Sequence, residues 1–492
     1  MSNTAIIGSG FSGLSAASFL AKAGQEVHVF EKNETIGGRA RQFKASGYTF
    51  DMGPSWYWMP DVIEKFFNNF GHSTSEFYDL KKLDPGFRMV FNDSTNLDVP
   101  ENFEALCEMF EKIESGAAAK LVKFMDEAEY KYKVGVNDLV YQPGNSLKEL
   151  MRLDLAAGIF KLQVFTSFSK HIRKFFKNPK LLALLEFPIL FLGATPKQTP
   201  ALYSLMNYAG LKLGTFYPIG GFSKLTEAMQ KVALKQGVNF HTNHNVEKIN
   251  IHNSFATSLT TNKGSFQFDN LIGSADYEHI ENKLLDNSTR NYSSKYWDKK
   301  VFAPSCLLFY LGINKKVDNL LHHTLFFNES LDQHADEIYT NKKWPTKPLF
   351  YVCCPSKTDS TIAPIGKENL FVLMPIATGL KDTEGIREKY FDLLLNKLEK
   401  YTGTDIINNI EFKRSYCIND FKSDYNSYQG NAYGLANTLM QTANLKPKMR
   451  SKKVKNMIYA GQLTVPGPGV PPSIISGQVA AEQILKSQSN LV

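Results

Sequence analysis

Cysteine is scarce in this chain of 492 residues: Cys107, Cys306, Cys353, Cys354 and Cys417 are all it has, with no CxxC pair and no cysteine–histidine cluster. An odd count with two adjacent members offers neither a disulfide framework nor zinc-type spacing. Reduced thiols in a cytoplasmic protein, and no metal site, are therefore expected. No apolar run reaches the roughly 20 residues that a membrane-spanning helix needs. The longest, Leu181 to Ala194, is interrupted by Glu186 and Pro188. A signal peptide is not expected, because strand-like residues begin by Thr4. Internal repeats and low-complexity segments are missing, as are Ser/His/Asp, Cys/His and paired-carboxylate patterns, which leaves no motif for nucleophilic or two-carboxylate hydrolysis. His241 and His244 read as surface or structural residues.

Charge of either sign is modest, 56 basic against 48 acidic residues for a net +8, and no nucleic-acid motif accompanies it. The cations are unevenly spread. Lys170, Arg173, Lys174 and Lys177 interleave with His171, Phe175 and Phe176, directly before Leu181–Leu185. Basic residues beside apolar helix are how a protein rests on an anionic bilayer; a buried helix is the alternative reading. The second run, Lys446, Lys448, Arg450, Lys452, Lys453 and Lys455, reads as a solvated face. At this length the chain exceeds the ~250–300 residues at which single cores stop growing, so at least two domains are expected.

What is present is concentrated in the first forty residues. Thr4–Ile7 is a short apolar strand, followed by Gly8, Ser9, Gly10, Phe11, Ser12 and Gly13, a helical pattern to Ala23, a second strand Val27–Phe30, and then Glu31 and Lys32. In a GxGxxG turn the first glycine permits the tight bend, the second lets backbone approach a pyrophosphate, and the third lets helix pack on strand. The helix N-terminus offers unpaired N–H groups to phosphate. Glu31 stands eighteen residues past Gly13, where an acid can hold a ribose and disfavours a 2′-phosphate. Shortly after it comes Gly37-Gly38-Arg39, which a nicotinamide dehydrogenase does not need.

Further along, residues from Glu101 to about Leu190 read as mostly helical. A helix over Lys224–Lys235 feeds a strand at Val238–His241, a small antiparallel insertion follows, and Asn270–Asp276 reads as a buried strand ending in a polar loop. Strand-like Leu307–Leu311 and Phe371–Met374 precede a closing strand Asn456–Gly461, a Pro/Gly loop, and a helix from Ser473 to about Lys486.

The acid followed by Gly-Gly-Arg resembles the GR2 type of FAD-binding flavoenzyme. Three more segments, Phe50–Pro60 (FDMGPSWYWMP), Gly214–Gly221 (GTFYPIGG) and Tyr459–Gly477 (YAGQLTVPGPGVPPSIISG), make the chain similar from end to end to bacterial-type phytoene desaturases. The resemblance implies an α/β, Rossmann-like FAD-binding domain of the amine-oxidase-like kind assembled from 1–90, 214–303 and 445–492. It implies a mixed α+β substrate domain from 91–213 and 304–444, with a helical membrane-facing part at about 100–213. It also implies that Gly8, Ser9, Gly10, Phe11, Ser12, Gly13, Glu31 and Lys32 hold the ADP half of FAD, with Val246 at the adenine. Gly38 and Arg39 would lie near the pyrophosphate, Gly461 and Gln462 at the pyrophosphate and ribityl chain, and Val470-Pro471 beside the isoalloxazine. Many relatives carry an acid where this chain has Gln462. The implied activity is stepwise conversion of 15-cis-phytoene to all-trans-lycopene by a peripheral enzyme at the inner face of the membrane, with oxygen or a quinone as terminal acceptor. A hydroxycarotenoid 3,4-desaturase, a diapophytoene desaturase and, further off, a non-carotenoid flavin oxidase are the alternatives. No catalytic side chain is assigned.

Overall fold

The computed structural model describes residues 2–92, 95–137, 139–144, 162–190, 192–438 and 440–489. A five-stranded parallel sheet runs in the order Met457–Tyr459, Asn270–Gly273, Asn3–Ile7, Glu26–Phe30, Asn239–His241. Thr4 to Ile7 and Val27 to Phe30 are all buried, as parallel strands covered on both faces must be. Helix Phe11–Lys22 covers one face and is itself packed against the last helix, Val470–Ser489. An antiparallel three-stranded meander, Val246–His252, Phe255–Thr261 and Gly264–Gln267, is inserted between the third and fourth strands in chain order.

A second, mixed sheet has seven strands: Ile410–Tyr416, Ser305–Ile313, Glu368–Ile376, Phe350–Cys353, His323–Phe327, Phe87–Phe91 and Asn96–Val99. Phe87–Phe91, just inside the first segment when the chain is divided at residue 90, belongs here because it pairs in parallel with His323–Phe327. All nine residues of Ser305–Ile313 are buried, since successive side chains point to opposite faces and both faces are covered. Leu307, Phe309 and Leu311 pack with Phe391, Leu394, Leu395 and Leu398 of helix Glu384–Thr402. Cys306 and Leu308 point the other way, into a long cavity. The helical region between the sheets includes Phe103–Ile113, capped by Asn102 accepting from the Glu104 and Ala105 amides, and Ala117–Asn137.

For the first basic run the buried-helix reading holds, and in the second run one member departs from the solvated face expected of it. Helix Pro179–Leu190 is a core helix: Leu181, Leu184, Leu185, Phe187 and Ile189 are buried. The interrupting Glu186 is 7% exposed and accepts from Arg173 Nη1 at 2.5 Å, while the arginine side chain stays 45% exposed. Lys170, Lys174 and Lys177 remain exposed. In the second run Lys446 is buried, 3% exposed, and burial lowers its amine to about 7. Part of the stretch expected to face the membrane, 145–161, lies outside the described residues.

A Cβ on Gly477 would fall 2.2 Å from the Ser12 carbonyl oxygen and 2.7 Å from Ser15 Cβ, so the two helices touch backbone to backbone. Gly477→Val should lower stability by about 1–3 kcal/mol through overpacking. The equivalent change at open Gly385 (Gly385→Ala), whose Cβ would meet nothing, should stay within about 0.5 kcal/mol. Thermal melts of the two variants check this.

Candidate active site

The parallel strands end on one side of their sheet, and the turns that follow them form the polar end of a cavity of about 1070 Å³. Ile7 leads into Gly8, whose φ of +98° is one that side chains other than glycine avoid; its amide donates to Phe30 O at 2.8 Å. Gly10 caps the first helix with no side-chain bond, which leaves the first-turn N–H groups of Phe11 and Ser12 facing the cleft. A Cβ on Gly10 would meet nothing within 4 Å, whereas one on Gly13 would lie 2.0 Å from Gly8 O. The two glycines therefore do different work, open space at one and close packing at the other.

Glu31 closes the second strand, 6% exposed. Its Oε2 accepts from the Ser9 amide (3.1 Å) and Oγ (2.7 Å), and its Oε1 from the Asn33 amide (2.9 Å) and Nδ2 (2.8 Å). The carboxylate is fixed at the cleft edge. Lys32 also lines the cavity, but its ammonium donates to Ser423 O at 2.5 Å and Asn426 Oδ1 at 3.1 Å. Val246, the first residue of the meander, stands on the same wall.

Arg39 follows Gly38 on a short turn. Its Nη2 donates to Ser427 Oγ (3.2 Å) and Asn431 O (3.3 Å), and its Nε is buried without a partner. Burial lowers the pKa of this guanidinium, against the pull of nearby Asp276. With the Gln462 amide oriented by its neighbours, its oxygen stands 3.0 Å from Arg39 Nη2. Gly461 (φ +107°) lets the backbone turn there, and Val470-Pro471 open the last helix on the cavity wall. Fourteen of the fifteen residues picked from the sequence line this one cavity; Gly13 lies behind it. Sequence reasoning missed Asp276 and His279 on the same wall. Asp276 had a signal, the end of a buried parallel strand. His244 lines the cavity too, while His241 stacks on His28 with ring centroids 5.3 Å apart.

Beyond the polar end the walls are apolar. Leu308, Leu325, Phe327, Tyr351, Phe371 and Leu373 come from one face of the seven-stranded sheet, and Trp56, Trp58, Phe187, Leu202 and Met206 from the region opposite. Phe165, Met440 and Leu445 line the cavity and are also 87%, 76% and 48% exposed, so they mark where it opens. Among the described residues no helix is long and apolar enough to cross a membrane.

An uncapped helix N-terminus, an open space over Gly10, a fixed acid at the end of the second strand and a buried guanidinium with an orphaned Nε together fit a dinucleotide held beside an apolar tunnel. The protein is a flavin-dependent oxidoreductase by fold and by kinship. A family model described as flavin containing amine oxidoreductase matches residues 11–485. Across 482 residues the chain is 39% identical to a carotenoid 3,4-desaturase of Haloarcula japonica, covering 98% of this chain and 97% of that one. It is 29% identical to a zeta-carotene-forming phytoene desaturase of Myxococcus xanthus, covering 98% and 93%. The solved structure of an oxidoreductase from Methanosarcina mazei shares the fold, with a TM-score of 0.63 at 15% identity over 98% of this chain and all of that one. The chain belongs to the carotenoid desaturases of the flavin-containing amine oxidoreductase family, and its cofactor is FAD.

Because Gly10 faces open space, Gly10→Val should fold as the parent does while obstructing the cleft. Losing hydrogen bonds to a charged group of about 1.5–3 kcal/mol corresponds to roughly 10- to 100-fold weaker FAD binding. Flavin absorbance per protein, beside the melting point of the apoprotein, measures both halves of this expectation.

Proposed function

We propose that this carotenoid desaturase introduces the 3,4 double bond into a carotenoid that carries a hydroxyl on its end group. The observation that supports this reading is Tyr339: its hydroxyl is buried on the cavity wall and has no hydrogen-bond partner. Nearby, Tyr433 OH stands 3.9 Å from Cys306 Sγ, and burial raises the pKa of the Tyr339 and Tyr433 hydroxyls, which stay neutral donors. A buried hydroxyl left unpaired is unfavourable by about 1–3 kcal/mol. A hydrocarbon end group leaves it so; a substrate hydroxyl relieves it. A site built to bond a substrate hydroxyl discriminates strongly against analogues without one. Tyr433 also adjoins Gly434, where a Cβ would fall 2.8 Å from Gln462 Cγ. The segment that carries Tyr433 thus packs against Gln462, and the 3,4 bond lies only a few bonds from an end-group hydroxyl.

We assign the ADP half of FAD to Gly8–Gly13, Glu31, Lys32 and Val246, and its pyrophosphate and flavin portions to Gly38, Arg39, Gly461, Gln462, Val470 and Pro471. When bound, FAD accepts the hydride that leaves one carbon of the CH–CH unit. The chain's part is to hold a long apolar molecule in register and to exclude water from it. His334 is no candidate for the accompanying proton: its Nε2 is bonded to Pro375 O at 2.9 Å, its Nδ1 accepts from the Leu349 amide at 2.8 Å, and burial lowers it to about 4. A second reading, conversion of phytoene to lycopene, is favoured by the apolar character of the remaining cavity.

In a host accumulating both phytoene and a 1-hydroxylated carotenoid, the hydroxylated pigment should gain the 3,4 double bond while phytoene remains. Lycopene formation instead would establish the second reading. Tyr339→Phe should slow turnover of the hydroxylated substrate about tenfold, the effect of one lost hydrogen bond of ~1.4 kcal/mol.

A substrate of this kind is extracted from a bilayer, and the exposed apolar rim of Phe165, Met440 and Leu445 supports peripheral docking at the cytoplasmic face. Replacing Phe165 and Met440 together by aspartate removes two apolar contacts worth about 1.5–3 kcal/mol each when fully buried. Co-sedimentation with lipid vesicles should fall at least tenfold, with FAD content unchanged.

A further inference from the structure

A second, much smaller cavity of about 30 Å³, room for a water molecule, adjoins the long one across Gly53, Ser55 and Phe371 and is lined by Asp51, Tyr217, His322 and Cys353 among others. Cys353 ends its strand directly opposite His323 in the antiparallel register, and His322 immediately precedes that partner strand. All three are buried, 5%, 0% and 3% exposed for His322, His323 and Cys353. Each offers a ligand atom within 4.8 Å of the others.

The two imidazoles are arranged alike. His322 Nδ1 is bonded to Thr358 Oγ1 at 2.7 Å and His323 Nδ1 to Tyr351 OH at 2.6 Å, while the Nε2 of each is buried with no partner. Metal-binding imidazoles show this division, one nitrogen fixed by an outer partner and the other presented to the ion. The rings are also held from outside. Trp56 stacks on His323 with centroids 4.1 Å apart and an interplanar angle of 12°, and Tyr217 lies 4.6 Å from His322.

We propose that His322, His323 and Cys353 hold a single zinc ion, with the small cavity supplying the position of a fourth, water ligand. Two imidazoles and a thiolate are a zinc donor set whose atoms stand about 3.3–3.6 Å apart around the ion, so side-chain movements of about 1.5 Å or less close the site. Binding releases the thiol proton to solvent and leaves one net positive charge, which the Asp51 carboxylate on the cavity wall faces. The ion ties the strand His323–Phe327 to Phe350–Cys353 behind Trp56, a residue of the long cavity's wall. Its role is to fix that wall, and it takes no part in electron transfer.

The test uses the FAD-loaded enzyme, stripped with a chelator and titrated with Zn²⁺ alone. One equivalent of zinc per FAD by atomic emission is expected. Co²⁺ in its place should give a thiolate-to-cobalt charge-transfer band. Cys353→Ser and His322→Gln should each bind zinc at least tenfold more weakly while keeping FAD. No zinc uptake by the parent protein, or full uptake by both variants, overturns the proposal. If a variant fails to fold, the cobalt spectrum of the parent decides: without the charge-transfer band, the site is not there.

Discussion

Everything in this protein hangs on the place where the first and last helices touch through glycine. Gly13 lies against the Gly8 carbonyl, and Gly477 lies against the carbonyl of Ser12. Neither contact tolerates a Cβ, and each shortens the distance from a helix to its neighbour by about the width of a side chain. The consequence is directional. Helix Phe11–Lys22 begins at the cleft with Gly10 as its cap, and helix Val470–Ser489 begins on the same cavity. Two helix N-termini thus converge on one space and add their partial positive charges there. Residues from opposite ends of the chain become a single wall because their helices are glycine-smooth where they cross.

The second constraint is the two-faced sheet. A sheet buried on both sides needs two different apolar environments, and here one is a helix and the other a tunnel. Alternation does the sorting: Leu307 and Phe309 face the helix, Cys306 and Leu308 the cavity. The aromatic motif Phe50–Pro60 supplies part of the far wall. Trp58 is pinned by a 2.9 Å bond from its Nε1 to Thr215 Oγ1, and a Cβ on Gly210 would lie 2.6 Å from its ring. Two segments distant in sequence, FDMGPSWYWMP and GTFYPIGG, are neighbours because an indole N–H in an apolar wall must find an acceptor.

Legibility followed the range of the interactions. The glycine turn, the acid after the second strand and the last strand were readable because each is a local device: a φ only glycine adopts, a strand end, a helix start. For Leu181–Leu185 a bilayer-facing and a buried helix were both open, because the packing that buries Leu181, Leu184 and Leu185 comes from residues distant in sequence. Lys446 looked like one cation in a solvated run; nothing local marks it as buried. Tyr339, Tyr433 and Cys306 lie far apart in the chain and share no spacing, as do the histidine pair and Cys353. No periodicity brings such groups together; the register of the seven-stranded sheet does so for His323 and Cys353, and tertiary packing of a helical turn and a loop does so for Tyr339 and Tyr433.

Gln462 gains its meaning from the same three-dimensional setting. An acid at this position would neutralise Arg39 outright. The amide instead presents a neutral oxygen to the guanidinium, whose other acceptors, Ser427 Oγ and Asn431 O, are neutral as well. Asp276 is the carboxylate that Arg39 feels, without a hydrogen bond between them, and burial raises that carboxyl above its ordinary range. The wall therefore keeps an under-compensated cation and an unpartnered Nε beside two positive helix ends. In a low-dielectric cleft that combination is unfavourable by itself and suits an anionic ligand. An acid in place of Gln462 would cancel that charge, whereas the amide leaves it to attract an anion and keeps an oxygen and an N–H with which to bond.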